Sequence, residues 1–371
     1  MKDEDNLKDS LEKLQKLAKE RTVKTQNIEY DLETLVKKIK KGIIKLNPDY
    51  QRNHRWNNVA SSKLIESLIL NIPIPTIYLS QDVDVDEEVE EDISRYSVID
   101  GQQRLTAINE FMTNTFALEG LEALKPLNGS YYKDLPPFLV RRLEERTIKC
   151  LRIDSTIDTQ VKYDIFERLN SGAVQLEAQE LRNAIYRGKF NDLIKVLAQY
   201  EKYMKLLNIN LRDVDNEVKV KKMQDVEYVL RFFALDNNEV NLMKKSFKKF
   251  LSEQMEKYNK LSEDELEIMK KHFTEVIDII YKNFGEKAFA KYKYESNSYV
   301  LQSSFNAAVY DALAIAVSEN KRNGTLKINS NNVKAFGELF KDKEFYDDIS
   351  GSTNDKSKII SRIERVRGVL S

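Results

Sequence analysis

The chain has 371 residues, 41% of them hydrophobic and 32% charged, with Lys+Arg and Asp+Glu equal at 60 each. At roughly 100–200 residues per domain this length suits two or three domains with sizeable cores, and the scarcity of glycine (11) and proline (6) excludes collagen-like, mucin-like and broadly disordered classes. One cysteine and two histidines exclude a disulfide framework and histidine- or cysteine-built zinc sites, and the zero net charge removes any global electrostatic pull on nucleic acid without forbidding a local one.

The N-terminal stretch MKDEDNLKDS is acidic and lacks the apolar core of an export signal. Residues 6–20 carry Leu7, Leu11, Leu14 and Ala18 near a heptad period, which predicts an amphipathic helix, self-packed or in a short coiled-coil contact. From residue 28 the pattern turns mixed α/β. IEYDLETLVKKIKKG reads as a short extended piece and a helix ending at Gly42. The spacing of Leu64, Ile65, Leu68 and Ile69 predicts a helix over 59–71, and PTIYLS (75–80) a strand. The run DVDVDEEVEED (82–92) has too little to bury and repels itself, so it reads as a solvated loop. YSVID (96–100) reads as a strand, GQQRLTAINEFMTN as a helix and TIKCLRID (147–154) as a further strand. Beyond about residue 160 helical patterns dominate, in YDIFERLN, AQELRNAIYRG, KMQDVEYVLRFFAL, 263–283 and SFNAAVYDALAIAVSEN. The expected fold class is α+β, with an N-terminal helix at 1–27, an α/β domain at 28–158 and a mostly helical domain at 159–371. No apolar run approaches the roughly 20 residues needed to span a bilayer. The expectation is a soluble cytoplasmic protein without membrane contact.

The stretch richest in chemistry is SVIDGQQRLTAI (97–108). A strand ends at Asp100, Gly101 permits a tight turn, and a helix begins at once. A helix start offers unpaired backbone N–H groups and the positive end of the macrodipole, and a glycine there lets an anion approach the backbone. Arg104 can add a charge-assisted contact to phosphate, and Gln102 and Gln103 supply neutral donors. Asp100 sits where it can hold a metal ion or orient a water. The alternative is an ordinary βα turn with Asp100 as N-cap. A second cluster, NPDYQRNHRW (47–56), sets Gln51, Arg52, His54 and Arg55 beside Tyr50 and Trp56, a mixture suited to phosphates, stacked bases or an ion-pair network, or to a loop pinned by Trp56. A third, IFERLNSGAVQLEAQELRNAIYRGKF (165–190), has an Asn170-Ser171-Gly172 turn followed by Glu177, Glu180, Arg182 and Asn183, which on their own read as a solvated helix face.

Together the three clusters resemble the N-terminal domain of GmrSD-type, modification-dependent restriction endonucleases. The matching features are Tyr50-Gln51-Arg52 with Trp56, VIDGQQRLTAI, FERLNSG…ELRNA (166–184) and, further on, KMQDVEYVLRFFAL (222–235), so that the resemblance covers roughly residues 28–320. It implies a ParB/sulfiredoxin-like α/β domain whose loop at Asp100–Arg104 binds nucleotide phosphates, and a part in NTP binding and hydrolysis that licenses DNA cleavage. Asp100, Gly101, Gln102, Gln103 and Arg104 would line the nucleotide site. Gln51, Arg52 and Arg55 would approach it from the first loop, and Asn170 and Gly172 from the third. Asp100 and Arg104 are the expected catalytic pair, with Asp100 as ligand to a magnesium ion beside the NTP.

Many relatives carry an HNH nuclease module, which needs histidines and a metal. His54 and His272 stand far apart in this sequence and form no such constellation. If DNA is cut, a separate nuclease subunit would do it. Cys150 lies in an apolar strand pattern rather than in the phosphate loop, which favours a buried structural thiol over sulfiredoxin-like chemistry. The expected function is therefore a nucleotide-binding, NTP-hydrolysing subunit of a restriction or phage-defence system, with DNA and oligomeric partners open. The alternatives are a non-enzymatic nucleotide- or DNA-sensing switch and, ranked lower, a ParB-like nuclease.

Overall fold

The structure is a computed structural model and describes residues 24–46, 56–82, 95–154, 159–169, 177–244 and 246–371. The expected helix at 6–20 and nearly all of the acidic run at 82–92 lie outside these residues. The chain divides into two compact units, 1–175 and 176–371.

The first unit opens with β1 (Thr25–Asp31), α1 (Leu32–Lys40), β2 (Ile44–Lys45) and α2 (Asn58–Ile69). It continues with β3 (Ile77–Gln81), β4 (Tyr96–Asp100), α3 (Gln102–Met112), α4 (Pro137–Glu144), β5 (Thr147–Ile153) and α5 (Thr159–Leu169). The five strands form one mixed sheet in the order β1-β5-β3-β4-β2. β1 runs antiparallel to β5, β5 parallel to β3, β3 antiparallel to β4, and β4 parallel to β2.

Local chemistry sets the helix starts. Asp31 ends β1 and caps α1, its carboxylate accepting the Thr34 N–H at 2.7 Å and the Thr34 hydroxyl at 2.8 Å. Glu33 in the first turn and Lys37, Lys38 and Lys40 in the last complement the macrodipole. Asn57 caps α2 through the Ala60 N–H at 2.9 Å. Leu32 and Leu35 of α1, Ile65 and Leu68 of α2, Leu105, Ile108 and Phe111 of α3 and Leu143 of α4 close over alternate strand residues such as Ile77, Leu79, Val98, Ile148 and Cys150. Cys150 is buried within this core, and burial pushes its thiol up to about 11, as a structural thiol should be.

α5 packs against β4 and buries Tyr163 and Phe166. It therefore lies with the sheet in the first unit, whereas the boundary expected at 158/159 would assign it to the helical part.

The second unit contains α6 (Ala178–Ile185), α7 (Lys189–Ala198), α8 (Glu201–Leu206), α9 (Val218–Lys221), α10 (Gln224–Leu235), α11 (Phe247–Tyr258) and α12 (Glu263–Phe284). A hairpin of β6 (Lys291–Glu295) and β7 (Ser298–Ser303) follows, then α13 (Ala307–Arg322), α14 (Ser330–Glu338), α15 (Lys343–Asp348) and α16 (Lys356–Val369). Helical patterns are expected to dominate beyond about residue 160, and the hairpin is a pair of strands that this reading leaves out. Ser296 and Asn297, both with positive φ, make its turn, and Tyr294 pairs with Tyr299 across it, ring centroids 5.0 Å apart. α13 forms the centre of this unit, every residue from Ala308 to Asn320 being buried, and packs against α16, α10 and α12. Its Asp311 is charged and buried, and Arg231 of α10 and Arg362 of α16 both reach it. Together the two units form an α+β chain.

Candidate functional site

Asp100 is the last residue of β4, Gly101 holds the N-cap position, and α3 starts at Gln102. The strand–turn–helix expected from DGQQR is thus present. Asp100 is not the cap: no side chain caps α3, and its first turn carries no acidic residue. Gly101 has φ +98°, in the left-handed region. A Cβ there would come within 2.9 Å of Ile77 Cγ1 and 3.2 Å of the Arg104 guanidinium. Glycine is therefore required twice, by conformation and by the close approach of two side chains. The first bond of the helix runs from the Leu105 N–H to the Gly101 carbonyl at 2.9 Å. The N–H groups ahead of it have no intrahelical acceptor and face the start of the turn.

The two residues expected to do the chemistry are each other's partner. Arg104 Nη2 lies 2.7 Å from Asp100 Oδ2, and Arg104 Nη1 also donates to the Pro75 carbonyl and, at 3.4 Å, to the Thr76 carbonyl. One guanidinium thus ties the end of β4 to the segment that enters β3. Its side chain is only 11% exposed, against 49% for Asp100, so the arginine is a fixed element and the carboxylate is the accessible one.

Gln102 is buried and Gln103 half-buried. The Gln103 side-chain carbonyl accepts the Trp56 N–H at 3.2 Å, which holds the end of the second sequence cluster against the turn. Trp56 itself is 37% exposed, so it does not pin the loop into the core. Gln51, Arg52, His54 and Arg55 lie outside the described residues, as do Asn170, Ser171 and Gly172.

The described end of the third cluster belongs to the second unit and is not a solvated face. Glu180, Arg182 and Asn183 are buried on α6. Arg182 donates to Gln179 and Glu227 at 3.0 Å each and to the Lys248 carbonyl at 3.3 Å, joining α6 to α10 and α11. Glu180 accepts the Glu177 N–H at 2.6 Å through Oε2, while Oε1 is buried without a hydrogen-bond partner. Burial pushes the Glu180 carboxyl up to about 7. This set is a polar core, which the sequence conceals because charged residues on a short helix look like solvent-facing ones.

Residues 32–187 match the family model described as the N-terminal domain of the GmrSD restriction endonuclease. Over these residues the chain is similar to that N-terminal domain. The match takes in α1 to α6 and so includes both the DGQQR turn and the ELRNA helix. No curated protein and no solved structure matches the chain. Among the described residues no group of three or more His, Cys, Asp or Glu is placed to hold a metal ion, and no helix is long and apolar enough to cross a membrane.

Proposed function

We propose that the β4–α3 turn of this GmrSD-type domain cradles the phosphates of a nucleoside triphosphate, and that the chain is an NTP-hydrolysing subunit of a restriction or phage-defence system acting on DNA. One observation carries the reading. An uncapped helix start, free of acidic residues, stands behind a left-handed glycine with a fixed guanidinium and an accessible carboxylate one turn apart. Asp100 is the group to orient the attacking water, and Arg104 positions Asp100 while placing positive charge beside the phosphates. A single half-exposed carboxylate fits a magnesium ion carried in by the nucleotide rather than a resident one. When bound, such an ion would neutralise charge on the phosphates. In this reading DNA cleavage belongs to a separate nuclease subunit. Among the described residues no group of carboxylates gathers with Asp100, which leaves too few ligands for a nuclease at the turn itself.

A second reading, a nucleotide-operated switch without turnover, is favoured by the Asp100–Arg104 pair, which keeps the would-be catalytic carboxylate engaged. Phosphate release from the four NTPs with magnesium, with and without DNA, separates the two. The expected result is turnover that falls by at least about 100-fold in both Asp100→Ala and Arg104→Ala, with calorimetric binding retained in Asp100→Ala. Binding without release in the wild type supports the switch. Unaltered turnover in Asp100→Ala overturns the role given to Asp100, and a wild type that neither binds nor hydrolyses overturns the nucleotide assignment.

A further inference from the structure

The β6–β7 hairpin is a sheet of its own, and among the described residues β7 pairs with β6 alone. β6 is the anchored strand. Tyr292 meets the Phe340 ring edge-on at 5.6 Å, and the Lys291 ammonium donates to the Ser350 hydroxyl at 2.6 Å and lies 4.7 Å from the centre of the Tyr346 ring. Lys341 sits over Tyr294 at 4.7 Å and over Tyr299 at 5.5 Å, which holds one face of the hairpin. β7 is thereby presented as a fixed edge beside solvent. Its consecutive Tyr299, Val300 and Leu301 are 41%, 38% and 45% exposed.

The turn decides which main-chain groups this edge offers. Ser296 and Asn297 both have positive φ, as a two-residue type I′ turn requires, so Glu295 and Ser298 form the hydrogen-bonded pair that closes it. The ladder then alternates. Tyr294–Tyr299 is a non-hydrogen-bonded pair, Lys293–Val300 a hydrogen-bonded one and Tyr292–Leu301 again a non-hydrogen-bonded one. The N–H and C=O groups of Tyr299 and Leu301 therefore point away from β6. Such an edge is a template for another strand, which folded proteins blunt with charge, proline or a bulge. β7 lacks the first two, since no charged residue and no proline stands between Glu295 and Asp311, and the register shift of the pair comes only after Leu301.

The strand that fits this edge is a second β7. With two copies antiparallel about a two-fold axis at Val300, Tyr299 of one faces Leu301 of the other, and the reverse. The outward N–H and C=O groups then meet as hydrogen-bonded pairs. Val300 meets its own copy on the axis in a non-hydrogen-bonded pair, where Cα atoms approach to about 4.5 Å. Self-pairing sets each residue near its own kind, so any charge on β7 would face a like charge, and β7 carries none. A charged partner strand would instead set its charges against this uncharged, apolar row.

We propose that β7 is a self-association edge, joining two copies of this chain by an antiparallel β7–β7 pairing centred on Val300. The hairpins of the two copies then form one continuous sheet. The proposal does not depend on nucleotide binding at the β4–α3 turn.

A hairpin edge buries far less than the roughly 800 Å² per partner of a standard interface, so the dimer should be weak, with a Kd on the order of 100 µM. Sedimentation velocity of the full chain, without nucleotide or DNA, should show monomer passing to dimer between about 10 and about 500 µM. Val300→Lys sets two ammonium groups together on the axis and should raise the Kd by about tenfold or more. Leu301→Pro removes an outward N–H that the hairpin itself does not use and should do the same. Val300→Cys reads the register directly, because the native Cys150 is buried. Under mild oxidation it should give a disulfide-linked dimer, whereas Gln302→Cys, displaced from the axis, should not. A wild type that stays monomeric throughout overturns the proposal. A dimer left unchanged by both Val300→Lys and Leu301→Pro overturns it too, as does equal cross-linking of Val300→Cys and Gln302→Cys.

Discussion

The chain uses an arginine–carboxylate pair in two settings that differ in almost every physical respect. In the second unit Asp311 is fully buried, with Arg231 Nε at 3.0 Å and Arg362 Nη2 at 2.7 Å, and Arg231 also lies 4.5 Å over the Phe247 ring. Arg362 adds bonds to the Thr353 carbonyl at 2.5 Å and the Asp348 carbonyl at 3.3 Å. At the β4–α3 turn Asp100 pairs with Arg104 at 2.7 Å but is 49% exposed. The chemistry is shared, yet the first arrangement joins α10, α13 and α16 while the second keeps a carboxylate within reach of solvent. Burial decides which pair is architecture and which is available for work.

Removing the buried anion gives the largest effect. Asp311→Ala leaves two guanidiniums facing each other without compensation and should cost about 3–5 kcal/mol. Urea unfolding of the full chain measures it as a lower midpoint. A midpoint within error of wild type would show that the triad is not what holds the three helices.

A middle case sharpens the contrast, because Glu180 is buried without a full set of partners. Burial raises its carboxyl from an ordinary 4.5 to about 7 in the folded chain. The folded state then binds a proton that the unfolded chain has already lost. The stabilisation is complete below about pH 4, is lost as pH rises toward 7, and stays lost above it. Asp225, buried and pushed up to about 7, acts in the same direction. Glu180→Gln keeps an acceptor for the Glu177 N–H and removes the ionisation. It should flatten the decline between pH 4 and 7, and above pH 7 exceed wild type by on the order of 1–3 kcal/mol. Unfolding curves at pH 5 and pH 8 decide this, and an identical pH slope in the two proteins would count against it.

These cases also show what could be read from residues alone. The short strand YSVID and the turn at Gly101 were legible because a brief apolar run closed by a glycine turn is a local property. So was the α+β order, since alternating and helical spacings survive without tertiary context. The Asp100–Arg104 pair was within reach too, being an i,i+4 spacing of opposite charges at a helix start. The hairpin at 291–303 was missed because β7 is exposed along nearly its whole length, so Tyr299, Val300 and Leu301 give no inside–outside alternation. Its signal was the short Ser296-Asn297 turn between tyrosine-bearing runs. The burial of Glu180, Arg182 and Asn183 could not be read, because the partners that pay for it, Glu227 and the Lys248 carbonyl, lie far along the chain.

The smallest expected change in stability falls at the candidate site, where the largest change in function is expected. Asp100→Ala removes an exposed ion pair worth about 0–1 kcal/mol, while Arg104 keeps its bonds to the Pro75 and Thr76 carbonyls. The urea midpoint should therefore stay close to wild type even as phosphate release fails. That separation is what distinguishes a working carboxylate from a structural one, since Asp311→Ala should lose both together. If Asp100→Ala instead unfolds as easily as Asp311→Ala, the ion pair at the turn is architecture like its buried counterpart. Asp100 would then lose its assigned part in catalysis, and the phosphate cradle would rest on the helix start alone.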